Sequence, residues 1–287
     1  MKLITFLFSL SLATSAFAFP KAPFDALNID KGISFNSNQA GYDFEGIVKL
    51  SNCSGSLIRF SGQPTTSKAL VLTNGHCYAA RGGMLNPNEI AVNLPVKRAM
   101  KIFDKQMKLF PITTTKVVYA AMKGTDVTVY ELSQTYDDIL AKYNISSFEL
   151  DTVRPNVGTD IEIVSGYWDR GYSCAIDAFI FNLKEGDYLF NDSIRYTDSC
   201  ETIGGTSGSP IIAKGTRTVI AINNTANESG GRCGENNPCE ISQDGTITVR
   251  RNKKYGQQTH DIYSCLTLDF SIDLNVAGCK LAKPLAQ

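Results

Sequence analysis

The sequence of 287 residues predicts an all-β protein, either a sandwich or a barrel, and two observations carry that prediction. Short runs rich in β-branched residues recur from about residue 45 onward, and turn-forming residues separate them. Few segments keep a helical period for long enough to form a helix. Many short strands with few helices are typical of sandwiches and barrels.

The predicted elements follow one another in short segments. The runs with strand character are 46–50, 55–60, 69–73, 116–119, 127–132, 161–165, 211–213, 218–222 and 246–249. Two further segments, 86–92 and 133–140, are expected to form short helices. The chain has no internal repeat. Its length is enough for one or two domains with a large core.

The N-terminal segment has the pattern of a secretory signal. Lys2 supplies a positive charge, an apolar run covers residues 3–12, and Ala16-Phe17-Ala18 forms a small-x-small cleavage site. We therefore expect a protein that is secreted or periplasmic. The expected organisation is a signal peptide over 1–18, a pro-segment or N-terminal strap over 19–35, and the folded domain over 36–287.

The charge balance limits the classes of partner. The chain carries 28 Lys and Arg against 28 Asp and Glu. Because a balance near zero gives little attraction to polyanions, nucleic acid and anionic membrane surfaces are not expected as main partners. No later stretch is long and apolar enough to span a bilayer, so we expect no membrane anchor once the signal is removed. We also expect the protein to be a monomer.

The cysteine pattern favours disulfides over a metal site. An even number of cysteines in an exported chain is typical of a disulfide framework. The chain has only two histidines and no C-x-x-C pair, so neither a metal nor another cofactor is expected. The eight cysteines are Cys53, Cys77, Cys174, Cys200, Cys233, Cys239, Cys265 and Cys279.

One cysteine pair involves a candidate catalytic histidine. His76 follows an apolar strand and precedes Cys77, while Cys53 lies just before the neighbouring strand. A Cys53–Cys77 bridge would hold the turn that carries His76, and a general base must be held accurately. The remaining pairings stay open, although Cys174–Cys200, Cys233–Cys239 and Cys265–Cys279 are all feasible.

The segment Gly205-Thr206-Ser207-Gly208-Ser209-Pro210 presents a candidate nucleophile. A serine between glycines can expose its hydroxyl beside converging backbone N–H groups, as acyl transfer requires. The alternative is an ordinary Gly/Ser/Pro turn. Asp126, at the start of an alternating apolar run, is the candidate that orients His76, and Asp104, Asp137 and Asp138 are the alternatives.

These segments together resemble the trypsin-like serine endopeptidases of the chymotrypsin fold. The similar segments are Cys53 to Ile58, Leu72 to Cys77, Asp126 to Val129, Gly166-Tyr167 and Gly205 to Pro210. The stretch from Cys200 to Pro210 resembles the bacterial branch that includes glutamyl endopeptidases. The resemblance implies two six-stranded antiparallel β-barrels, at about 45–140 and 150–270, with the active site in the cleft between them.

The resemblance also implies a role for each candidate. His76 and Asp126 would lie on the first barrel and Ser207 on the second. Ser207 would attack the scissile carbonyl, His76 would take its proton, and Asp126 would orient the imidazole. The backbone N–H groups of Gly205 and Ser207 would bind the oxyanion.

Two positions depart from the trypsin pattern. Thr206 stands where trypsin-like zymogens carry an aspartate that pairs with the new N-terminus, so activation in the manner of trypsin is not expected. Asn223 stands where glutamate-specific members have a histidine, so we expect no preference for glutamate. Glu201 matches the position at the base of the primary specificity pocket and would favour lysine or arginine at P1, the residue before the cleaved bond; the alternative is a structural acid beside Cys200. Thr202 and Asn223 are also expected to contact the substrate.

The sequence thus predicts an exported serine endopeptidase that acts on proteins or peptides. One alternative is a catalytically inactive homologue that serves as a binding module. A second is an unrelated disulfide-rich β-sandwich adhesin in which the three motifs occur by chance.

Overall fold

The structure is a computed structural model and describes residues 41–78 and 84–285. The predicted signal peptide and N-terminal strap lie outside the described residues. The first strands are β1 (Ile47–Lys49), β2 (Ser54–Phe60), β3 (Lys68–Thr73), β4 (Ile90–Pro95), β5 (Ala99–Phe103), β6 (Leu109–Ala121), β7 (Val127–Thr135) and β8 (Phe148–Leu150). The later strands are β9 (Asp160–Ser165), β10 (Arg170–Glu185), β11 (Tyr188–Tyr196), β12 (Pro210–Ala213), β13 (Thr218–Ala226), β14 (Cys239–Ile241), β15 (Ile247–Thr248) and β16 (Lys254–Gln258). Helix α1 covers Tyr136–Tyr143, and a 3₁₀ helix covers His260–Cys265.

The first half of the chain forms a closed antiparallel barrel. Its strands pair in the order β1, β5, β6, β7, β3 and β2, and β2 pairs again with β1. Val48 contributes to both ends of this ring, since it is opposite Ile102 of β5 and opposite Gly55 of β2. Closure leaves none of these six strands as a free edge.

The second half forms another closed antiparallel barrel. Strands β13, β12, β9, β10, β11 and β16 pair in that order, and β16 pairs again with β13. The register places Ile211 opposite Ile163 and Ile194 opposite Gly256. The prediction of two six-stranded antiparallel barrels is therefore confirmed.

A short strand and an apolar layer join the two barrels. Strand β8 pairs in parallel with β2 of the first barrel and with β13 of the second. Side chains from both barrels pack around it in one buried cluster, which removes apolar surface from water on both sides of β8. The cluster includes Ile58, Leu72, Phe148, Leu150, Ile212 and Ile222.

The long hairpin β10–β11 reaches from the second barrel to the first. The Gly124 N–H donates to the Leu189 carbonyl at 3.0 Å, and the Asn191 N–H donates to the Gly124 carbonyl at 2.7 Å. The Tyr188 hydroxyl donates to the Leu85 carbonyl at 2.9 Å. The hairpin tip therefore forms one wall of the cleft between the barrels.

The structure corrects both helix predictions. The predicted helix over 86–92 is wrong, because Glu89 closes a turn onto Asn86 and β4 then begins at Ile90 and pairs with β6. The helix predicted over 133–140 begins later, because β7 continues to Thr135. The Thr135 side chain accepts from the Asp138 N–H and the Asp138 carboxylate accepts from the Thr135 N–H, a capping box that sets the first turn of α1.

Disulfides link all eight cysteines in the described residues. Cys53 is bonded to Cys77 and Cys174 to Cys200, within the first and second barrels. The last two bonds close a surface loop and tie down the C-terminal segment; they are Cys233–Cys239 and Cys265–Cys279.

The disulfide at the histidine turn should stabilise the protein more than the short-loop disulfide. Cys53 and Cys77 are 24 residues apart, whereas Cys233 and Cys239 are 6 apart. From loop entropy, we expect the paired alanine substitutions to lower the free energy of unfolding by about 3.5 and about 2.4 kcal/mol respectively. Urea unfolding followed by circular dichroism measures both. An equal or larger loss for the short loop would contradict the expectation.

Candidate active site

The chain reverses direction directly after β3 to present His76. Strand β3 ends at Thr73, and the turn that follows is closed by hydrogen bonds from the Cys77 N–H to the Asn74 carbonyl and from the Tyr78 N–H to the Gly75 carbonyl, at 3.2 and 3.0 Å. The disulfide at Cys77 then fixes the end of the turn to Cys53. The imidazole is thus held by a buried strand on one side and a covalent bond on the other.

Asp126 uses both carboxylate oxygens on His76. The His76 backbone N–H donates to Oδ1 at 2.9 Å, and the His76 Nδ1 lies 2.6 Å from Oδ2. The Asn74 side-chain amide donates to the Asp126 carbonyl at 3.0 Å. Because Asp126 is fully buried, this carboxylate requires such partners. Nδ1 therefore carries the proton, and Nε2 is left as the basic nitrogen.

A glycine allows the histidine turn to approach this carboxylate. A Cβ at Gly75 would lie 2.1 Å from the Ala121 carbonyl oxygen and 2.8 Å from Asp126 Oδ1. Both distances are shorter than any real carbon contact, and the first involves backbone that cannot move aside. Only glycine fits between β3 and the start of β7 at this point.

The surroundings of His76 favour its protonated form. Burial opposes the charge, but the Asp126 carboxylate, through charge and hydrogen bond, outweighs burial, and Glu185 adds to the attraction. The pKa of His76 is therefore raised above its ordinary value. The imidazole is suited to accept a proton and hold it as imidazolium.

Ser207 lies across the cleft, on the loop that leads into β12. Its backbone carbonyl accepts from the Ser54 N–H of the first barrel at 2.8 Å, which ties the loop to both barrels. Its hydroxyl donates to the Asn224 carbonyl at 3.3 Å. Ser207, His76 and Asp126 line the same cavity, an open cleft whose empty space of about 1110 Å³ includes solvent at its mouth.

Two backbone donors beside Ser207 are free. Within the described residues, the N–H groups of Gly205 and Ser207 have no hydrogen-bond partner. The neighbouring N–H of Thr206 does have one, the Ile203 carbonyl at 3.1 Å. A pair of free N–H groups next to a serine hydroxyl is the donor set that a developing oxyanion requires.

Thr206 fixes this loop without an ionic partner. Its hydroxyl donates to the Ile203 carbonyl at 2.6 Å and accepts from the Asn223 side-chain amide at 3.1 Å. Both Thr206 and Asn223 are buried. The loop that carries Ser207 is thereby fastened to itself and to β13 by neutral hydrogen bonds.

Two of the three predicted specificity residues line the cavity, and the third does not. Thr202 is buried and lines the cavity, and Asn223 lines it as well. Glu201 is exposed and is not among the lining residues. Its neighbours Cys200 and Thr202 are both buried, so the Glu201 side chain alone points to solvent at this place.

Sequence reasoning missed an acidic side of the cleft. Glu185, at the end of β10, lines the cavity, and its Oε1 accepts from the Thr225 hydroxyl at 3.0 Å and from the Asn236 N–H at 2.7 Å. Burial raises the pKa of the Glu185 carboxyl, although these hydrogen bonds lower it in part. The described lining residues include no lysine or arginine. The other acidic residues that line the cavity are Asp126, Asp187, Glu228 and Glu235.

One group of side chains has the spacing of metal ligands. Among the described residues, the candidate ligand atoms of Cys53, His76 and Cys77 lie within 4.8 Å of one another. Both sulfur atoms belong to a disulfide, however, so neither is available as a thiolate ligand.

Among the described residues, no helix has the length and apolar character needed to cross a membrane.

Comparisons with known proteins find distant similarity to solved structures of proteases. No protein-family model and no curated protein matches the sequence. The chain is similar to the MamO protease domain from Magnetospirillum magneticum (12% identity, 79% of this chain and 99% of that chain, TM-score 0.49). It is also similar to kallikrein-related peptidase 10 (13%, 74% and 88%, TM-score 0.44) and to a Nocardiopsis protease (12%, 76% and 93%, TM-score 0.40). These values are low, so the fold assignment rests on the strand pairings of this chain.

The two histidines should titrate on opposite sides of the ordinary histidine value. Asp126 raises the pKa of His76, whereas burial lowers the pKa of His260. We expect Asp126→Asn to lower the pKa of His76 and to leave that of His260 unchanged. Titration by NMR with ¹⁵N-labelled histidine measures both. A His76 midpoint unchanged in the variant would contradict the paired geometry.

Proposed function

We propose that the protein is a serine endopeptidase with Ser207, His76 and Asp126 as its catalytic triad. The observation that carries the proposal is the cleft itself. A histidine whose Nδ1 is held by a buried carboxylate shares that cleft with a serine whose neighbouring N–H donors are free. Nucleophile, base, orienting acid and oxyanion donors are thus all supplied.

Catalysis would start with deprotonation of the serine. The Ser207 hydroxyl leaves the Asn224 carbonyl and passes its proton to Nε2 of His76 as Oγ attacks the scissile carbonyl. Asp126 stabilises the imidazolium that forms, and the N–H groups of Gly205 and Ser207 receive the oxyanion.

The intermediate then collapses to an acyl-enzyme. His76 gives its proton to the leaving amine, and the C–N bond breaks. Water enters the cleft, loses a proton to His76 and attacks the ester carbon. Collapse of the second tetrahedral intermediate releases the carboxylic acid and restores the Ser207 hydroxyl.

The retained groups favour an active enzyme over an inactive homologue that only binds a partner. A change at the nucleophile, the base or Gly205 would remove the chemistry, and each of these residues is in place. Four disulfides support an exported protein, since such bonds persist in oxidising compartments. We propose a secreted or periplasmic monomer that cleaves protein or peptide substrates.

The charge of the cleft supports a preference for cationic side chains. Its described lining carries carboxylates and no lysine or arginine. Glu185 lies within it, and a bound cation would favour the ionised form of this carboxyl, which burial disfavours. A glutamate side chain would meet like charge instead. We therefore propose lysine or arginine near the cleaved bond, with Glu185 as the main recognition group in place of the exposed Glu201.

Active-site labelling tests the proposed nucleophile. We expect the mature protein to react covalently with a fluorophosphonate probe and Ser207→Ala to show no reaction, because the attacking oxygen is absent. Hydrolysis of a good peptide substrate should fall by about a millionfold in kcat. Intact-mass spectrometry and peptide mapping locate the label.

A neighbouring serine provides the matched control for labelling. Ser209 lies two residues away and is fully buried. Ser209→Ala should keep the label on Ser207. Absence of labelling on the folded wild type, or labelling of Ser207→Ala, would overturn the proposed function.

Two glutamate variants test the proposed specificity. Because Glu185 lines the cavity and Glu201 does not, we expect Glu185→Gln to reduce kcat/KM for substrates with lysine or arginine by about tenfold, and Glu201→Gln to change it little. A positional-scanning peptide library compares both variants with wild type. An unchanged profile for Glu185→Gln, or a larger change for Glu201→Gln, would contradict this assignment.

A further inference from the structure

A single tryptophan contacts the loop that carries the candidate oxyanion donors. Trp168, the only tryptophan of the chain, lies in the turn between β9 and β10. Its indole Nε1–H donates to the Gly204 carbonyl at 2.7 Å. This bond fixes one end of the Gly204–Gly205 peptide group.

The orientation of that peptide group determines where the Gly205 N–H points. The described chain contains no cis peptide bond. In a trans peptide the C=O and N–H groups point in opposite directions. Because Trp168 holds the Gly204 carbonyl, the Gly205 N–H points away from the indole, and it is one of the two free donors beside Ser207.

This peptide group would rotate easily without an anchor. Both of its residues are glycines, and a Cβ at Gly204 would meet nothing within 4 Å. Gly205 has φ +88°, a conformation that glycine alone adopts at low cost. Rotation would turn the Gly204 carbonyl toward the oxyanion position, where it would repel a developing negative charge.

The aromatic turn packs directly on Gly205. A Cβ at Gly205 would lie 2.8 Å from the indole Nε1 and 3.0 Å from the Tyr167 ring. Tyr167 and Trp168 form an edge-to-face pair with centroids 4.9 Å apart. The loop therefore has no room to move toward the turn.

The same turn is anchored to the first barrel through Ser54. The Tyr167 N–H donates to the Ser54 hydroxyl at 3.1 Å, and the Ser54 N–H donates to the Ser207 carbonyl at 2.8 Å. The Trp168 N–H donates to the Ser165 hydroxyl at 3.3 Å, and this hydroxyl contacts that of Ser54 at 3.0 Å. The position of the indole is thus coupled to the position of the loop that carries Ser207.

We infer that Trp168 is a positioning residue for the oxyanion hole, which its indole N–H keeps open before substrate binds. The inference rests on the proposed function, because the hole matters only if Ser207 is acylated. Together with the neutral hydrogen bonds of Thr206, the indole keeps the loop in a competent conformation without a charged N-terminus.

Trp168→Phe tests the role because it keeps an aromatic ring and removes the donor. We expect the second-order rate constant for fluorophosphonate labelling to fall by about 10- to 100-fold, since one oxyanion donor becomes disordered. For the p-nitroanilide that wild type cleaves fastest, kcat should fall by a similar factor while KM changes by less than about threefold.

Tyr119→Phe is the matched control. The Tyr119 hydroxyl also donates to a backbone carbonyl, that of Ala282 at 3.1 Å, and Tyr119 does not line the cleft. This variant should keep the wild-type labelling rate. Thermal unfolding of both variants shows whether each is folded at the assay temperature.

The outcomes separate the two proposals. Labelling of wild type with an undiminished rate in folded Trp168→Phe would overturn the role of Trp168 alone. An equal loss in Tyr119→Phe, or a loss confined to KM, would overturn it as well. A folded wild type that does not label would overturn the proposed function and, with it, this inference.

Discussion

The contact between the buried Asp126 carboxylate and His76 is the constraint on which the site depends. A fully buried carboxylate is costly unless both oxygens find donors, and here both donors belong to one residue. That requirement fixes the histidine tautomer, the approach of the turn at Gly75 and the start of β7. The Cys53–Cys77 disulfide holds the end of the same turn, one residue after His76.

The candidate catalytic residues come from both barrels, so their relative positions depend on how the barrels pack together. His76 and Asp126 belong to the first barrel, whereas Ser207 belongs to a loop of the second. The apolar layer around β8 joins the two barrels, and the hydrogen bond from the Ser54 N–H to the Ser207 carbonyl crosses between them at the site itself. The β10–β11 hairpin adds a wall that carries Glu185 beside the histidine. The packing of the hairpin against the first barrel therefore places the acidic Glu185 in the same cleft as His76.

The sequence predicts the barrel strands in which β-branched residues dominate. It does not predict strands in which polar and apolar residues alternate irregularly. Strands β3, β7 and β13 are readable because they are buried and apolar, while the long hairpin β10–β11 mixes charges with aromatics and was missed. Residues near His76 and Ser207 could be identified from local motifs. Glu185 and Trp168 could not, because their roles arise from contacts with segments distant in sequence. Glu201 stays a prediction as a specificity residue: it is exposed and does not line the cavity, and its position in a motif does not determine which way its side chain points.

The most direct test of the proposed active site is a crystal structure of the wild-type protein after reaction with a phosphonate inhibitor. We expect phosphorus bonded to Ser207 Oγ, with this oxygen moved away from the Asn224 carbonyl. A phosphonyl oxygen should accept from the N–H groups of Gly205 and Ser207, while Trp168 remains bound to the Gly204 carbonyl. Phosphorus bonded to another residue, or a phosphonyl oxygen directed away from both N–H groups, would contradict the proposed active site.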